Sequence, residues 1–316
     1  MTSATASRQA ATISVIIPAY KAAQTIRRAI DSVLAQTVPP EQIIVVDDGS
    51  PDHQHAVLQQ YGDRILLIRQ ANLKTAMARN AGLSQARGDF IAFLDADDYW
   101  EPDKLERQLA VFAKHPEVGV VSSTYFVEQP GTARVAACTH DRPWHDRVID
   151  VRGKHAFRVA TMMWTGTLMV RRERLGEEQF VSGLEPAEDR DMWVRLVLRG
   201  PVYVLSEPLS TAVLEPGSIS RSSIDRDCSK MLEVIQRHHG TLGLLAAMAW
   251  RSHTLYRWSG MDPAPRTALP RLIQSFALWP LPYLGLTEML RLGRSRRLIV
   301  LLMLAFRLRT SEAAHG

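Results

Sequence analysis

Short apolar runs alternate with amphipathic stretches through the N-terminal two thirds of the chain, and the runs stop at turns rich in Asp, Gly, Ser or Pro. Ser14–Ile17 is β-branched and ends at Pro18. Ala22–Gln36 then sets Ile26, Ala29, Ile30, Val33 and Leu34 on one helical face. Ile43–Val46 ends at Asp47-Asp48-Gly49-Ser50-Pro51, strong turn chemistry. Ile65–Ile68 reads as a third strand and Thr75–Arg87 as a helix. Phe90–Leu94 ends at Asp95-Ala96-Asp97-Asp98. Pro102 opens the helix Lys104–Lys114, and Val118–Val121 is a fifth strand. Thr167–Val170 reads as a further strand and Ala187–Leu198 as an amphipathic helix. This alternation predicts an α/β fold, a mostly parallel sheet flanked by helices. Residues 124–162 are irregular, a loop or edge-strand excursion. The rhythm fades after Pro208, and from about Leu232 the pattern is helical.

Two of the predicted strands end in carboxylates: Asp47-Asp48, and Asp95, Asp97 and Asp98. Ligands of open α/β sheets bind beyond the carboxyl ends of the strands. Loop acids are usually solvated, but two clusters at one sheet edge repel each other unless a cation or hydrogen-bond donors compensate. A hard divalent ion held by one or two carboxylates and a diphosphate meets that need. No Gly-x-Gly-x-x-Gly follows the first strand and no Gly-x-x-x-x-Gly-Lys loop occurs, which disfavours a dinucleotide oxidoreductase and a P-loop phosphotransferase.

Six segments in order carry a family resemblance: Val15–Tyr20, Val45–Ser50, Ala78–Gly82, Phe93–Asp98, Thr165–Arg172 and Glu188–Trp193. Together they resemble a family 2 glycosyltransferase over about residues 13–220. The resemblance implies the GT-A fold, a Rossmann-like nucleotide-binding half abutting an acceptor half, and an inverting mechanism. Pro18, Ala19 and Tyr20 would form the loop under the nucleotide base. Asp48 would accept from a uracil-type ring N–H, with Asp47 near it. Arg79 would face the diphosphate or buttress its loop. Asp95-Ala96-Asp97 matches the DxD motif, with Asp95 near the ribose and Asp97 binding Mg²⁺ or Mn²⁺. Asp98 would brace that loop. Asp189 would be the general base, taking the proton of the attacking hydroxyl. By position alone, Asp189, Glu188 and Asp191 also suit a helix N-terminus, where carboxylates complement the backbone dipole. Trp164 and Glu188 fall on the acceptor side, where Trp164 either stacks on a sugar or packs in the core.

Two departures from the family pattern stand out. Lys74 occupies a position where members often carry Gly, as an exposed loop residue or as an added cation near the donor diphosphate. Ala212, Val213 and Glu215 replace an expected Tyr, Arg and His, while the Gly217-Ser218-Ile219-Ser220 ending is kept.

Net charge is +5, but ten Arg and three acids from Gly240 onward make that segment +7, leaving the first 239 residues at −2. Arg interleaved with Leu, Ile, Trp and Phe fits an anionic membrane surface better than nucleic acid. No run of 18 uninterrupted apolar residues occurs; Leu298–Phe306, bordered by Arg294, Arg296, Arg297, Arg307 and Arg309, reads as an interfacial helix. Cys138 and Cys228 have no disulfide-framework or metal-type spacing, and His238-His239 reads as surface. The expected organisation is a disordered lead-in (1–12), a catalytic domain (13–230) and a basic, membrane-associating helical region (231–316). The expected protein is a cytoplasmic enzyme, peripheral on the inner face of the cell membrane. It would use a nucleotide-sugar donor, of UDP type, a glycan or lipid-linked acceptor, and Mg²⁺ or Mn²⁺. The alternatives are a nucleotidyltransferase on a similar sheet and a non-catalytic nucleotide-sugar or membrane-binding protein.

Overall fold

The computed structural model describes residues 11–129, 131–137, 144–152, 154–214, 223–262 and 264–279. Most of the expected lead-in, Cys138, Glu215 with the Gly217–Ser220 ending, and the Leu298–Phe306 run lie outside the described residues.

One mixed sheet forms the centre. The strands β1 (Ile13–Ala19), β2 (Gln42–Asp47), β3 (Leu66–Arg69) and β4 (Phe90–Phe93) pair in parallel in the order β3-β2-β1-β4. All seven residues of β1 are buried, as a strand covered by helices on both faces requires. The covering helices of this half are α1 (Ile26–Leu34), the short α2 (Gln54–Gln59) and α3 (Lys74–Gln85). At Gly82 of α3 a Cβ would come within 2.5 Å of Ile16 Cγ2, so α3 lies close against β1 only because this residue has no side chain.

Beyond β4 the expected mostly parallel arrangement gives way. After β5 (Tyr99–Trp100) and α4 (Lys104–Lys114) come β6 (Val120–Glu128), the two-residue strands β7 (Val135–Ala136) and β8 (Val148–Ile149), and α5 (Lys154–Met162). The strand β9 (Met169–Arg171) is antiparallel to both β4 and β6, between which it sits. It leaves a 3₁₀ turn at Thr165–Thr167 on the carboxyl edge, so it must run back across the sheet. A short helix α6 (Arg172–Leu175) and then α7 (Glu188–Leu198) lead to β10 (Val202–Val213). This strand pairs in parallel with β6 and passes through Pro208, where the register shifts. A bulge accommodates the missing N–H, so the strand continues where the sequence pattern faded. The irregular 124–162 stretch contains β7, β8 and α5.

The helices α8 (Ile224–Arg237), α9 (His239–Leu242), α10 (Leu244–Met261) and α11 (Pro265–Leu278) follow. The expected boundary at residue 230 falls inside α8, and Val234, Ile235, Ala247 and Trp250 share a core with Phe157 of α5 and Trp193 of α7. His238, expected at the surface, is buried and lies 3.0 Å from Asp191 Oδ1. Arg195 and Arg237 also donate to Asp191 at 3.0 Å each. Burial opposes ionisation of Asp191, but His238 and Arg237 hold its carboxyl below the ordinary range. Among the described residues no helix is long and apolar enough to cross a membrane.

The placement of α7 depends on an aromatic triad. Phe93 of β4, Phe180 and Trp193 of α7 have ring centroids 5.5–5.7 Å apart, with two of the pairs edge-on and the third tilted. Such contacts add to the area term of burial. Trp193→Ala is expected to cost about 3–5 kcal/mol in urea unfolding, and Trp193→Phe clearly less, because the phenyl ring fills part of the cavity.

Candidate active site

The order β3-β2-β1-β4 reverses direction between β1 and β4, and the crevice at such a switch point is where open α/β sheets bind ligands. The ends of β1, β2 and β4 deliver Pro18-Ala19-Tyr20, Asp47-Asp48 and Asp95-Ala96-Asp97 to one edge.

The first two loops are tied together by Gln54, a residue with no distinctive sequence signal. Its fully buried side chain accepts from Ala22 N (3.0 Å) and donates to Ala19 O (3.2 Å) and Asp47 Oδ1 (3.0 Å). Asp47 also accepts from Ser50 N at 3.1 Å and lies 3.6 Å from Arg69 Nε. Asp48 is buried, and its oxygens accept from Gln70 Nε2 (2.7 Å), Leu73 N (2.8 Å) and Lys74 N (2.9 Å). Its carboxylate therefore anchors the start of α3, using three of roughly four acceptor positions. Pro18 and Ala19 are buried, while Tyr20 is half-buried with Lys21 Nζ 5.6 Å from its ring. Lys74 has φ +75°, the left-handed conformation that favours glycine. That backbone demand accounts for the Gly expected at this position.

The third loop is braced from three sides. Arg28 donates to Asp97 O at 2.5 Å. Asp98 accepts from Val213 N (2.9 Å) and Trp164 Nε1 (3.2 Å). Burial, with the charges of Asp97 and Asp95, pushes the Asp98 carboxyl well above the ordinary range. Trp164 is half-buried and stacks on Tyr125 at 5.6 Å, so its N–H and one ring face are engaged within the chain. Ala96 is buried between the half-buried Asp95 and Asp97.

Arg79 joins this loop to the start of α7. Its guanidinium, 4% exposed, donates Nη2 to Asp95 Oδ1 and Nη1 to Glu188 Oε1, both at 2.7 Å. It lies 5.3 Å from the Phe180 ring. Burial opposes its charge, but Asp95, Glu188 and Asp189 hold it protonated. Glu188 thus braces the start of α7 from a buried position. Burial lifts its carboxyl to about 7 against the pull of Arg79, with Asp189 and Glu185 adding to the rise. Its Oε2 has no hydrogen-bond partner among the described residues. Asp189, the next residue, is half-buried; it accepts from Thr165 Oγ1 at 3.3 Å and from Arg190 N at 2.6 Å. Asp191 lies about 200° around the helix from Asp189, which places the buried anchor and the half-buried carboxylate on different faces of α7.

Among the described residues no group of three or more His, Cys, Asp and Glu side chains converges as a metal site. Mg²⁺ and Mn²⁺ bound with a diphosphate need only one or two protein carboxylates. Asp97, with Asp95 beside it, offers that hard-oxygen donor set at the end of β4. Asp95 keeps a side chain 25% exposed, with one oxygen held by Arg79.

This sheet order, with its antiparallel β9, is that of the GT-A fold. The glycosyl transferase family 2 model matches residues 14–177, and the chain belongs to that family. It is 32% identical to the putative teichuronic acid biosynthesis glycosyltransferase TuaG of Bacillus subtilis over 66% of this chain and 81% of that one. It is 48% identical to an uncharacterized glycosyltransferase of Nostoc over 34% of this chain and 35% of that one. In fold it is similar to S. aureus TarS 1–349 in complex with UDP-GlcNAc (TM-score 0.66, 19% identity, 95% of this chain and 92% of that one). It is also similar to the mannosyltransferase PcManGT from Pyrobaculum calidifontis in complex with GDP-Man and Mn²⁺ (TM-score 0.55, 16% identity, 94% and 86%).

Two outcomes are expected from this geometry. Because Glu188 takes up a proton more readily in the folded than in the unfolded chain, its contribution to stability is full below about pH 4.5 and is lost as pH rises through about 7. Denaturant unfolding across that range should show the decline, and Glu188→Gln should flatten it. Lys74→Gly should relieve roughly 1 kcal/mol of backbone strain and raise the melting temperature.

Proposed function

We propose that this glycosyltransferase moves a sugar, with inversion at the anomeric carbon, from a UDP-type donor to a hydroxyl of a glycan or lipid-linked acceptor. The observation that carries the proposal is the Arg79 bridge, which couples the Asp95–Asp98 loop at the donor edge to the Glu188-Asp189 start of α7. The nucleotide sugars bound by TarS and PcManGT support the donor class, and the name of TuaG supports a role in cell-surface polysaccharide synthesis.

In this reading Ala19, Tyr20 and the Asp47-Asp48 loop hold the base, and Asp95 and Asp97 face the ribose and diphosphate. Arg79 keeps Asp95 oriented, and Lys74 adds a cation on the donor side. Asp97 would hold Mg²⁺ or Mn²⁺, which when bound neutralises charge on the diphosphate leaving group. Asp189 accepts the proton of the acceptor hydroxyl as its oxygen bonds to the anomeric carbon. The bond from that carbon to the phosphate oxygen breaks, and its electron pair leaves with the nucleotide diphosphate. Thr165 Oγ1, 3.3 Å from Asp189 Oδ2, orients the carboxylate.

The enzyme would work in the cytoplasm, peripheral on the inner membrane face. The Arg-rich segment from Gly240 supports this, as do the exposed Leu244, Leu245, Met261 and Ile273. An anionic surface attracts such residues through charge, while the apolar side chains enter the interface.

The test is release of nucleotide diphosphate from a panel of nucleotide sugars. EDTA should stop it and Mn²⁺ restore it. Asp189→Asn should lower turnover by about 10²–10⁴-fold while UDP still raises the melting temperature. Normal turnover of that variant removes Asp189 as base, and release of pyrophosphate points instead to nucleotidyl transfer.

A further inference from the structure

The 3₁₀ turn Thr165–Thr167 lies between the acids of the candidate site and a buried polar network. On one side Thr165 Oγ1 donates to Asp189 Oδ2 at 3.3 Å, and Trp164 Nε1, just before the turn, donates to Asp98 Oδ2 at 3.2 Å. On the other side three carbonyls are each held by a side chain. Trp164 O accepts from Thr167 Oγ1, Gly166 O from Trp100 Nε1 of β5, and Thr167 O from Gln108 Nε2 of α4, all at 2.7 Å. The Thr167 hydroxyl proton is spent on Trp164 O, so Ser122 Oγ of β6 donates to that hydroxyl, also at 2.7 Å.

Gln108 is the centre of this network. Its Nε2 also donates to Val121 O of β6 at 3.2 Å, so both amide protons go to carbonyls. Its Oε1 accepts from Lys104 Nζ, one turn earlier on α4, at 2.7 Å, and that amine lies 4.0 Å from the Trp100 ring centroid. Lys104, Gln108, Ser122 and Thr167 are all fully buried. Apolar side chains would fill this space without the cost of removing an amine, an amide and two hydroxyls from water. A bonded polar network instead fixes one arrangement, where apolar side chains repack.

We propose that Gln108, supported by Lys104, is a positioning residue of the transfer reaction: it locks the Thr165–Thr167 turn, and through it Thr165 aims the Asp189 carboxylate at the acceptor hydroxyl. This rests on the reading of Asp189 as base. Neither Gln108 nor Lys104 touches a substrate; both act through the turn. A proton acceptor turned away from its hydroxyl costs rate, because the reacting groups must be aligned when the bond forms. The donor edge depends less on the turn, since Asp98 keeps Val213 N as a second anchor at 2.9 Å.

Gln108→Met keeps the side-chain length and loses both amide bonds. Thr167→Val keeps the shape and loses the hydroxyl, and Thr167→Ser keeps the hydroxyl. The experiment measures UDP release from UDP-N-acetylglucosamine and UDP-glucose, with water or p-nitrophenyl glycosides as acceptors. Gln108→Met and Thr167→Val should each lower kcat by about tenfold or more and leave the donor KM within about threefold. Thr167→Ser should recover most of the lost rate. In an Asp189→Asn background the same substitutions should change the residual turnover by less than about twofold, because the group they orient is gone. Crystal structures of Gln108→Met and Thr167→Val should show the Thr165–Asp189 hydrogen bond broken. Wild-type kcat in either folded variant overturns the proposal. So does an intact Thr165–Asp189 bond, or a further loss of about tenfold on top of Asp189→Asn. Thr167→Val carries the same test if Gln108→Met does not fold. Normal turnover of Asp189→Asn alone is a separate failure, that of the base assignment, and takes this proposal with it.

Discussion

A single guanidinium holds the two halves of the site in register. Arg79 reaches from α3 to Asp95 at the end of β4 and to Glu188 at the start of α7, at 2.7 Å in each direction. Burying a charge is costly, and the cost is offset here by two carboxylates and by the face of Phe180. Lysine could not replace it, because a point charge on a flexible stem does not span two divergent acceptors with a planar fork. Desolvation and the neighbouring acids also explain why Glu188 titrates near neutrality while Arg79 stays charged.

Around that bridge the loops are held by side chains that work mostly on backbone. Gln54 joins the ends of β1 and β2, Asp48 anchors the start of α3, and Asp98 fastens the Asp95–Asp98 loop to β10 and Trp164. These contacts fix the loops at the ends of β1, β2 and β4 within the chain itself, and groups oriented in advance lose less on binding. On the far face of α7, Asp191 binds Arg195, Arg237 and His238, so α7 is fixed to the C-terminal helices as well as to the sheet. The altered Ala212-Val213 stretch has a structural part in the same frame, since Val213 N donates to Asp98.

Much of the fold was legible because strand and helix periodicity are local. Strands β1 to β4, helices α1, α3, α4 and α7, and the acid-tipped turns all fall where the apolar pattern puts them. The direction of β9 was not legible, because it depends on which edge the chain reaches after the Thr165–Thr167 turn. The passage of β10 through Pro208 was hidden because a bulge, a feature of pairing with β6, makes room for the proline. In the candidate site, Asp95, Asp97 and the Glu188-Asp189 pair were visible as residues. Their division of labour was not: Glu188 is an anchor for Arg79, and Trp164 is already bonded to Asp98 and stacked on Tyr125. Gln54 and His238 carried no signal, since a polar side chain in a short helix or at a helix end looks the same whether solvated or buried.

The amino-acid sequence by itself determined the alternation of strands and helices, the acids at their ends and the family to which they belong. Those properties follow from neighbours a few residues apart, through periodicity, turn chemistry and motif spacing. Only the tertiary structure decided which charges are buried and with whom. Lys104 reads as an ordinary surface residue, yet it is fully buried, bonded to Gln108 at 2.7 Å and 4.0 Å from the Trp100 ring centroid. Burial pushes its amine well below the usual lysine range. Arg79 and Glu188 are 109 residues apart, and Asp191 and His238 are 47 apart. Solvent exclusion and long-range pairing turn such residues from solvated charges into anchors, and neither is written in the local pattern.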